Sequence, residues 1–134
     1  MRDIETIAFV EAEKGKPFKW GINDCNTFVL SYLDTVWGRD LLKECYGKYD
    51  SKESAVEFQQ NYPLMISDAI VETGATKIPP SLAKTGDLLV IDFKLFQLCN
   101  LCLGTNGASV EEDKQTDIFR IKEFSAFDWA LRIN

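Results

Sequence analysis

The order of its periodic segments predicts an α+β fold for this chain. Segments with helical spacing of apolar residues fill roughly the first half, and short β-type runs separated by turn residues follow them. Helices first and strands afterwards is the layout of α+β domains, in which helices pack against an antiparallel sheet. No Pro/Gly/Ser-rich linker and no internal repeat separates the two halves, so residues 1–134 are expected to form a single domain.

The first helical segment runs from Ile4 to about Lys14 and stops at Gly15. Residues 16–23 contain a proline and a glycine and are typical of a loop. The second helix begins at Asp24 or Cys25. Its apolar residues recur at intervals of three and four as far as Trp37, and the glycine that follows ends the pattern. The wide apolar face of this segment predicts the central, most buried helix.

Two shorter helices are expected before residue 75. Asp50-Ser51-Lys52-Glu53 fits a capping-box pattern and predicts a helix that continues to about Asn61. Pro63 suits the first turn of a further helix over Leu64–Glu72, which Gly74 would stop.

The second half of the chain predicts an antiparallel meander of about five strands. Ile78–Asp87 has the composition of an extended connection that ends in a turn, and Gly104–Gly107 is a strong turn signal. The predicted strands are Leu88–Phe93, Phe96–Leu103, Ala108–Glu111, Gln115–Ile121 and Phe127–Ile133.

The charge pattern argues against nucleic-acid and membrane partners. The net charge is −6 and the lysines and arginines are scattered, whereas phosphate-backbone binding needs clustered cations. The longest apolar runs fall far short of the roughly 20 residues that span a bilayer. The N-terminus has neither the basic nor the apolar region of a signal peptide. We therefore expect a protein made in a reducing cytosol that stays there or is packed into something assembled there.

The four cysteines, at positions 25, 45, 99 and 102, are expected to be reduced. Cys99 and Cys102 form a CxxC, but it lies in a predicted strand, where residues three apart point to opposite faces and do not readily grip one metal. Zinc held by all four thiols is an alternative, although structural zinc sites usually use paired knuckles. Buried core thiols are the favoured interpretation, and no metal or cofactor is expected.

Cys25 has the setting of a nucleophile. A turn-rich loop leads into the first turn of a helix, where unpaired backbone N–H groups and the helix dipole favour a thiolate. The chain, however, contains no histidine to serve as its base. Carboxylates such as Asp24 and Asp87 are weak bases for a thiol, and their charge would raise its pKa rather than lower it. Asp24 as a helix cap and Cys25 as a packed core residue are the simpler structural interpretations.

Three motifs carry a resemblance to a known family. Trp20-Gly21-x-x-Asp24-Cys25-x-x-Phe28, followed by Gly86-Asp87-Leu88-Leu89-Val90 and by Trp129-x-x-Arg132 near the C-terminus, resembles the NlpC-type papain-like cysteine peptidases. More closely, the chain resembles a small branch encoded by tailed bacteriophages and described as tail-assembly or uncharacterised virion proteins. The resemblance implies a papain-like α+β domain in which the cysteine-bearing helix packs against the sheet.

The resemblance also implies a site. In active members of the family the cysteine attacks a peptide bond of cell-wall peptide, and a histidine near the start of the second strand is the base. That position falls near Leu98 here, and a leucine cannot take a proton. Cys25 is thus expected to be a vestigial nucleophile, with Trp20, Asp24, Asp87 and Asn100 as the residues lining its site.

Functionally, the resemblance implies a non-enzymatic component of a tailed-phage virion, in the tail or at the head–tail junction. Its partners would be other virion proteins, with a symmetric ring of copies as one arrangement, and contacts would come from Gly104–Gly107 and the acidic Glu111-Glu112-Asp113. The alternative is a thiol amidase or peptidase acting on peptidoglycan stem peptides, with Cys25 as nucleophile and a base other than histidine. A small thiol-dependent transferase or an inhibitor module is the third hypothesis.

Overall fold

A computed structural model describes residues 2–61, 66–94, 96–104, 106–110 and 119–134. The helices are α1 (Asp3–Glu13), α2 (Cys25–Trp37), α3 (Lys52–Asn61) and α4 (Ile66–Glu72). The strands are β1 (Ala75–Ile78), β2 (Leu88–Asp92), β3 (Gln97–Cys102), β4 (Asn106–Val110), β5 (Phe119–Glu123) and β6 (Trp129–Ile133). Helices precede strands, and the predicted α+β class is confirmed. Among these helices none combines the length and apolar character needed to cross a membrane.

The strands form one antiparallel sheet in the order β1-β6-β2-β3-β4-β5. The sheet has one strand more than the sequence predicts, and the additional strand is β1. Its pattern is weak because only one of its four side chains, that of Ala75, is buried. β1 is nevertheless fixed by a continuous register with β6, from Ala75 opposite Ile133 to Ile78 opposite Ala130.

The last strand departs from the expected meander. β6 does not extend the sheet beyond β5 but pairs with β1 and β2. The chain before it places Phe127 against Gly107, where a Cβ would lie 2.7 Å from the Phe127 ring. Burial of this aromatic side chain against β4 therefore directs the chain across the sheet before β6 begins.

The helix boundaries agree with the sequence to within a residue or two where they are described. The cap of α3 differs in detail: Ser54 N–H donates to Ser51 Oγ and Ser51 N–H to Ser54 Oγ, so Ser54 takes the place that the pattern gave to a glutamate. Pro63 and residues 64–65 of the predicted helix Leu64–Glu72 lie outside the described residues. So do Glu111, the last residue of the predicted strand Ala108–Glu111, and residues 115–118 of the predicted strand Gln115–Ile121.

Helix α2 is the most buried helix, as its apolar face predicts. It packs on one face of the sheet in a core that includes Leu33, Val90 and Cys99, while a smaller apolar cluster on the opposite face includes Leu89 and Cys102. The two cysteines of the CxxC therefore point to opposite faces, and both are fully buried.

A buried hydroxyl network joins α1, α2 and the turn before β2. Tyr32 Oη lies 2.9 Å from Thr6 Oγ1, donates to Gly86 O at 3.1 Å and accepts from Trp37 Nε1 at 3.0 Å. Gly86 has φ +96° and lies against the Tyr32 hydroxyl, so a side chain there would be both strained and crowded. This network fixes the turn before β2 relative to α2.

Candidate thiol site

The N-terminus of α2, which bears Cys25, is held by the Asp24 carboxylate. Its Oδ1 accepts from the backbone N–H groups of Asn26 and Thr27, each at 3.0 Å. Its Oδ2 accepts from Gly21 N–H and from the Tyr49 hydroxyl, each at 2.8 Å. In return, Asp24 N–H donates to Thr27 Oγ1 at 2.8 Å, which completes a capping box. Asp24 is buried, so its carboxylate depends on these four donors for its hydrogen bonds.

The structure explains why a glycine, Gly21, follows the tryptophan in the sequence motif. Its φ is +80°, and a Cβ at this position would collide with the backbone carbonyl of Tyr49. Gly47 N–H also donates to Gly21 O at 2.9 Å. The loop that carries Tyr49 can therefore dock on the loop before α2 only if residue 21 has no side chain.

Asn26, the residue after the cysteine, joins α2 to the sheet. Its Oδ1 accepts from Cys99 N–H at 3.0 Å and its Nδ2 donates to Gln97 O at 3.0 Å. These backbone groups lie at the start of β3, where the pairing with β4, which covers Leu101 and Cys102, has not yet begun. The Asn26 amide thus replaces a neighbouring strand and fixes the thiol-bearing turn against β3.

A pocket of about 310 Å³ opens beside this turn. Its walls come from the loop before α2, from α3 and from the hairpin between β2 and β3. The residues that line it include Trp20, Cys25, Tyr49, Lys52, Phe93 and Leu98. The aromatic rim is ordered by two ring contacts: Phe18 and Trp20 meet edge to face at 4.9 Å, and Phe93 and Phe96 stack at 4.8 Å.

Helix α3 supplies the opposite wall through Ala55, Val56 and Gln59. Gln59 Oε1 accepts from Gln97 N–H at 2.8 Å and Gln59 Nε2 donates to Gln97 O at 3.1 Å. The backbone of Gln97 is therefore bound by two side-chain amides, one from α2 and one from α3.

The ionisable groups that line the pocket are Asp24, Cys25, Tyr49 and Lys52. Burial, together with the nearby Asp24 carboxylate, raises the pKa of Tyr49 far above its ordinary value, so this phenol stays protonated and is no base. The Asp24 oxygens are occupied by four donors. The Lys52 side chain lines the pocket as a hydrogen-bond donor and offers no acceptor oxygen. Among the described lining residues, no group is suited to take a proton from Cys25.

The structure brings together four of the residues expected at the site. Trp20, Asp24, Cys25 and Leu98 all line this pocket. Leu98, which the resemblance places at the position of the histidine, therefore shares a cavity with the thiol and makes its wall apolar.

Asp87 is not among the residues that line the pocket. Its carboxylate forms an ion pair with Arg132, Nη2 to Oδ2 at 2.8 Å, and accepts from Lys84 N–H at 2.8 Å. The hydrogen bond and charge of Asp87 raise the pKa of Arg132 further. Asp87 thus closes the turn before β2 and anchors β6.

Asn100 also lies outside the pocket lining. It pairs with Leu89 in the sheet and is buried, and its Oδ1 has no hydrogen-bond partner among the described atoms. Leu89, its pairing partner, belongs to the apolar cluster on the sheet face away from α2.

Sequence reasoning missed Tyr49, Asn26 and Gln59. Asn26 had a signal, because it is a polar residue in the first turn of the most apolar helix, beside the candidate nucleophile. Tyr49 and Gln59 had none, since their partners lie 25 and 38 residues away.

All four cysteines lie in the described residues and none forms a disulfide. Burial raises the pKa of Cys45 and of Cys99 to about 12, and that of Cys102 to about 11. These three thiols therefore stay protonated at neutral pH. Within the described part of the chain, no three histidine, cysteine or acidic side chains are grouped so that they could hold a metal ion.

Comparison with known proteins agrees with the architecture. A family model described as "Domain of unknown function (DUF6950)" matches residues 3–127. The NlpC/p60 domain of the peptidoglycan hydrolase SagA superposes with a TM-score of 0.65 at 21% identity, over 98% of each chain. Among curated proteins, none matches this chain. The structural likeness establishes the papain-like NlpC/p60 fold.

Proposed function

The chain belongs to the family described as "Domain of unknown function (DUF6950)", and we propose that it is a non-enzymatic domain built on a peptidase fold. We further propose that it serves as a structural or assembly component of a tailed-phage virion, in the tail or at the head–tail junction. The virion role is supported by the resemblance of the Trp20–Phe28 and Gly86–Val90 motifs to phage-encoded proteins.

The proposal that the domain is not an enzyme depends on one observation: the pocket that holds Cys25 contains Leu98 where a base is needed. A cysteine peptidase needs a group that takes the thiol proton and later returns it to the leaving amine. The sequence has no histidine, Asp24 is occupied by four donors, and Tyr49 stays protonated. Loss of such a base costs about 10²–10⁴ in rate.

A domain of this kind would act through its surface. The pocket rim offers aromatic side chains, and Phe93 remains 48% exposed at the hairpin tip. Aromatic residues are enriched at protein–protein contacts, so this rim is suited to a neighbouring virion protein. The loop contacts expected at Thr105 and at residues 111–113 lie outside the described residues.

The direct test of the virion role is copurification. Particles are purified by density gradient and digested, and peptides of this protein are counted by mass spectrometry. The proposal predicts that the protein is present in a fixed ratio to a known tail protein. Its absence from purified particles, despite expression during infection, would contradict the virion role.

A second candidate is a thiol amidase or peptidase that acts on peptidoglycan stem peptides. Two observations favour it: Cys25 lies at a helix N-terminus inside a pocket, and the similar SagA domain belongs to a peptidoglycan hydrolase. In this case a partner protein or an unusual group would have to supply the base.

Hydrolysis of purified peptidoglycan distinguishes the two candidates. Released peptides are measured for the wild-type protein and for Cys25→Ala, each at several pH values. The non-enzymatic proposal predicts no release above the buffer blank from either protein. Release that depends on Cys25 would establish the amidase instead.

A further inference from the structure

We propose that α3 is a hinged wall of the Cys25 pocket and that Gln59 is the latch which holds it closed. The inference rests on the proposed function in one respect, because it treats this pocket as the contact site of a non-enzymatic domain. It adds that access to the pocket is controlled within the fold.

Helix α3 is weakly packed for an element that forms the wall of a pocket. Of its ten described residues, Ala55 alone is buried. Val56 and Phe58 are half-buried, and the Phe58 ring meets the Tyr49 ring at 5.6 Å, so α3 buries little apolar surface for its length. By contrast, α2 buries eight residues.

Cavities flank α3 on two sides. The Cys25 pocket, of about 310 Å³, lies against Ala55, Val56 and Gln59. A second, mainly apolar cavity of about 340 Å³ is lined by Phe58 together with residues of α2 and α4 such as Leu30 and Ile70. A helix with open space on both sides can move without breaking a close-packed core.

The N-terminal end of α3 is firmly attached. Tyr49 donates to Asp24 at 2.8 Å, and its backbone carbonyl lies against Gly21. Ser51 and Ser54 then cap the helix, with side-chain and backbone contacts of about 3 Å. These anchors place a hinge at the start of the helix.

The opposite end is held by Gln59. Its amide makes both hydrogen bonds to the Gln97 backbone, and Gln97 Oε1 in turn accepts from Ser67 N–H at 2.9 Å at the start of α4. Rotation of α3 about its N-terminal end would break both Gln59 bonds at once and widen the pocket beside Cys25. Since two such bonds contribute modestly, the open state lies within reach of thermal fluctuation.

The test measures access to Cys25 by reaction with a bulky aromatic disulfide reagent, resolved by peptide mass spectrometry. Wild type is compared with Gln59→Leu, which keeps the side-chain size and loses both hydrogen bonds. Gln60→Leu, at the neighbouring exposed position, is the control. We expect Cys25 to react about tenfold faster in Gln59→Leu, as for a loss of two hydrogen bonds. The control should stay within twofold of wild type.

A small reagent, methyl methanethiosulfonate, separates access from thiol chemistry. It fits the closed pocket, so its rate should change less than twofold in Gln59→Leu. Equal rates of the bulky reagent with wild type and Gln59→Leu would overturn the latch. Equal acceleration of both reagents would overturn it too, because that result indicates a general loosening of the structure.

Gln59→Glu gives a signature that a merely structural role would not produce. In this variant a protonated carboxyl group can accept from Gln97 N–H and donate to Gln97 O, whereas the ionised carboxylate faces that carbonyl without a proton to give. The rate of the bulky reagent relative to wild type should therefore be high at pH 8 and fall toward one as the pH drops below about 4.3, the pKa of a free glutamate. A ratio independent of pH would contradict the latch. Cys25-dependent peptidoglycan cleavage, in contrast, would contradict the proposed function and leave these ratios unchanged.

Discussion

The two walls of the Cys25 pocket differ in how they are held. The wall that carries the thiol is fixed by Asp24 with four hydrogen bonds, by the glycine contact with Tyr49 and by the Asn26 amide on β3. The wall opposite, α3, buries one side chain and reaches the sheet through Gln59. The difference indicates that the turn that bears Cys25 is held rigidly, whereas the wall that faces it is held by few contacts.

The largest effect that would test this contrast is expected at Asp24. Asp24→Ala removes the helix cap and leaves Gly21 N–H and the Tyr49 hydroxyl without their acceptor, which should cost about 4 kcal/mol of unfolding free energy. Denaturant unfolding measures it. Asp24→Asn keeps one acceptor oxygen and should lose about half as much. A cost below about 1 kcal/mol for the alanine variant would mean that the Asp24 hydrogen bonds do not hold the wall that carries Cys25.

The glycine contact gives the next largest effect. Gly21→Ala forces a Cβ against the Tyr49 carbonyl at a positive φ and should destabilise the fold by about 3 kcal/mol. Gly15→Ala is the matched control, because Gly15 has φ +88° but nothing within 4 Å of the place where a Cβ would lie. It should cost about 1 kcal/mol, from backbone strain alone. Equal losses for the two variants would remove the role assigned to the Tyr49 contact.

The two amides that bind the start of β3 allow the walls to be compared directly. Asn26→Leu leaves buried backbone groups of Gln97 and Cys99 unsatisfied and should cost about 2 kcal/mol. Gln59→Leu should cost less, at most the roughly 1.4 kcal/mol that a tenfold change in opening represents, because α3 can move and water can reach the same strand edge. Thermal and denaturant unfolding measured in parallel would show the difference, and the reverse order would contradict the account.

Alkaline pH tests how the phenol of Tyr49 is held. Burial, followed by the charge of Asp24, raises its pKa above the value of 10.0 that a free tyrosine has. Above pH 10 the unfolded chain releases this proton and the folded chain keeps it. The contribution of Tyr49 to the free energy of unfolding is therefore fully present below pH 10. Above pH 10 it is lost by about 1.4 kcal/mol per pH unit. Tyr49→Phe should remove this part of the slope, measured by denaturant unfolding from pH 9 to 11.

Tyr46→Phe, at a tyrosine that is 51% exposed, is the matched control for that slope. The buried thiols Cys45, Cys99 and Cys102 remain in both variants and contribute equally to the alkaline loss. An unchanged slope in Tyr49→Phe would show that the phenol is not held by Asp24 as described.

Local pattern predicted the helices and most strands, because their signals lie within the segments themselves. The apolar spacing of Phe28, Leu33 and Val36 predicted a buried α2, and all three are buried. The strand β1 and the insertion of β6 between β1 and β2 were not predictable, because both depend on pairing between residues 75–78 and 130–133. No local periodicity encodes a pairing across that distance.

The site was predictable only in part, for the same reason. Trp20, Asp24, Cys25 and Leu98 share the pocket, and the first three lie within six residues of one another. Asp87 was expected there because it opens a strand of the motif, yet Arg132, 45 residues away, engages its carboxylate elsewhere. Tyr49 and Gln59 enter through tertiary contacts that the linear pattern does not contain.

The alkylation of Cys25 by iodoacetamide between pH 5 and 10 tests most directly the proposal that no group in this pocket acts as a base for the thiol. Site-resolved mass spectrometry gives the rate at each pH for wild type and for Leu98→His, which places an imidazole in the pocket. We predict that the wild-type rate rises toward alkaline pH without a plateau near neutrality, as for a thiol that no imidazole activates. Leu98→His should raise the rate near pH 7. A wild-type rate that is already high and constant from pH 6 to 8 would contradict the claim.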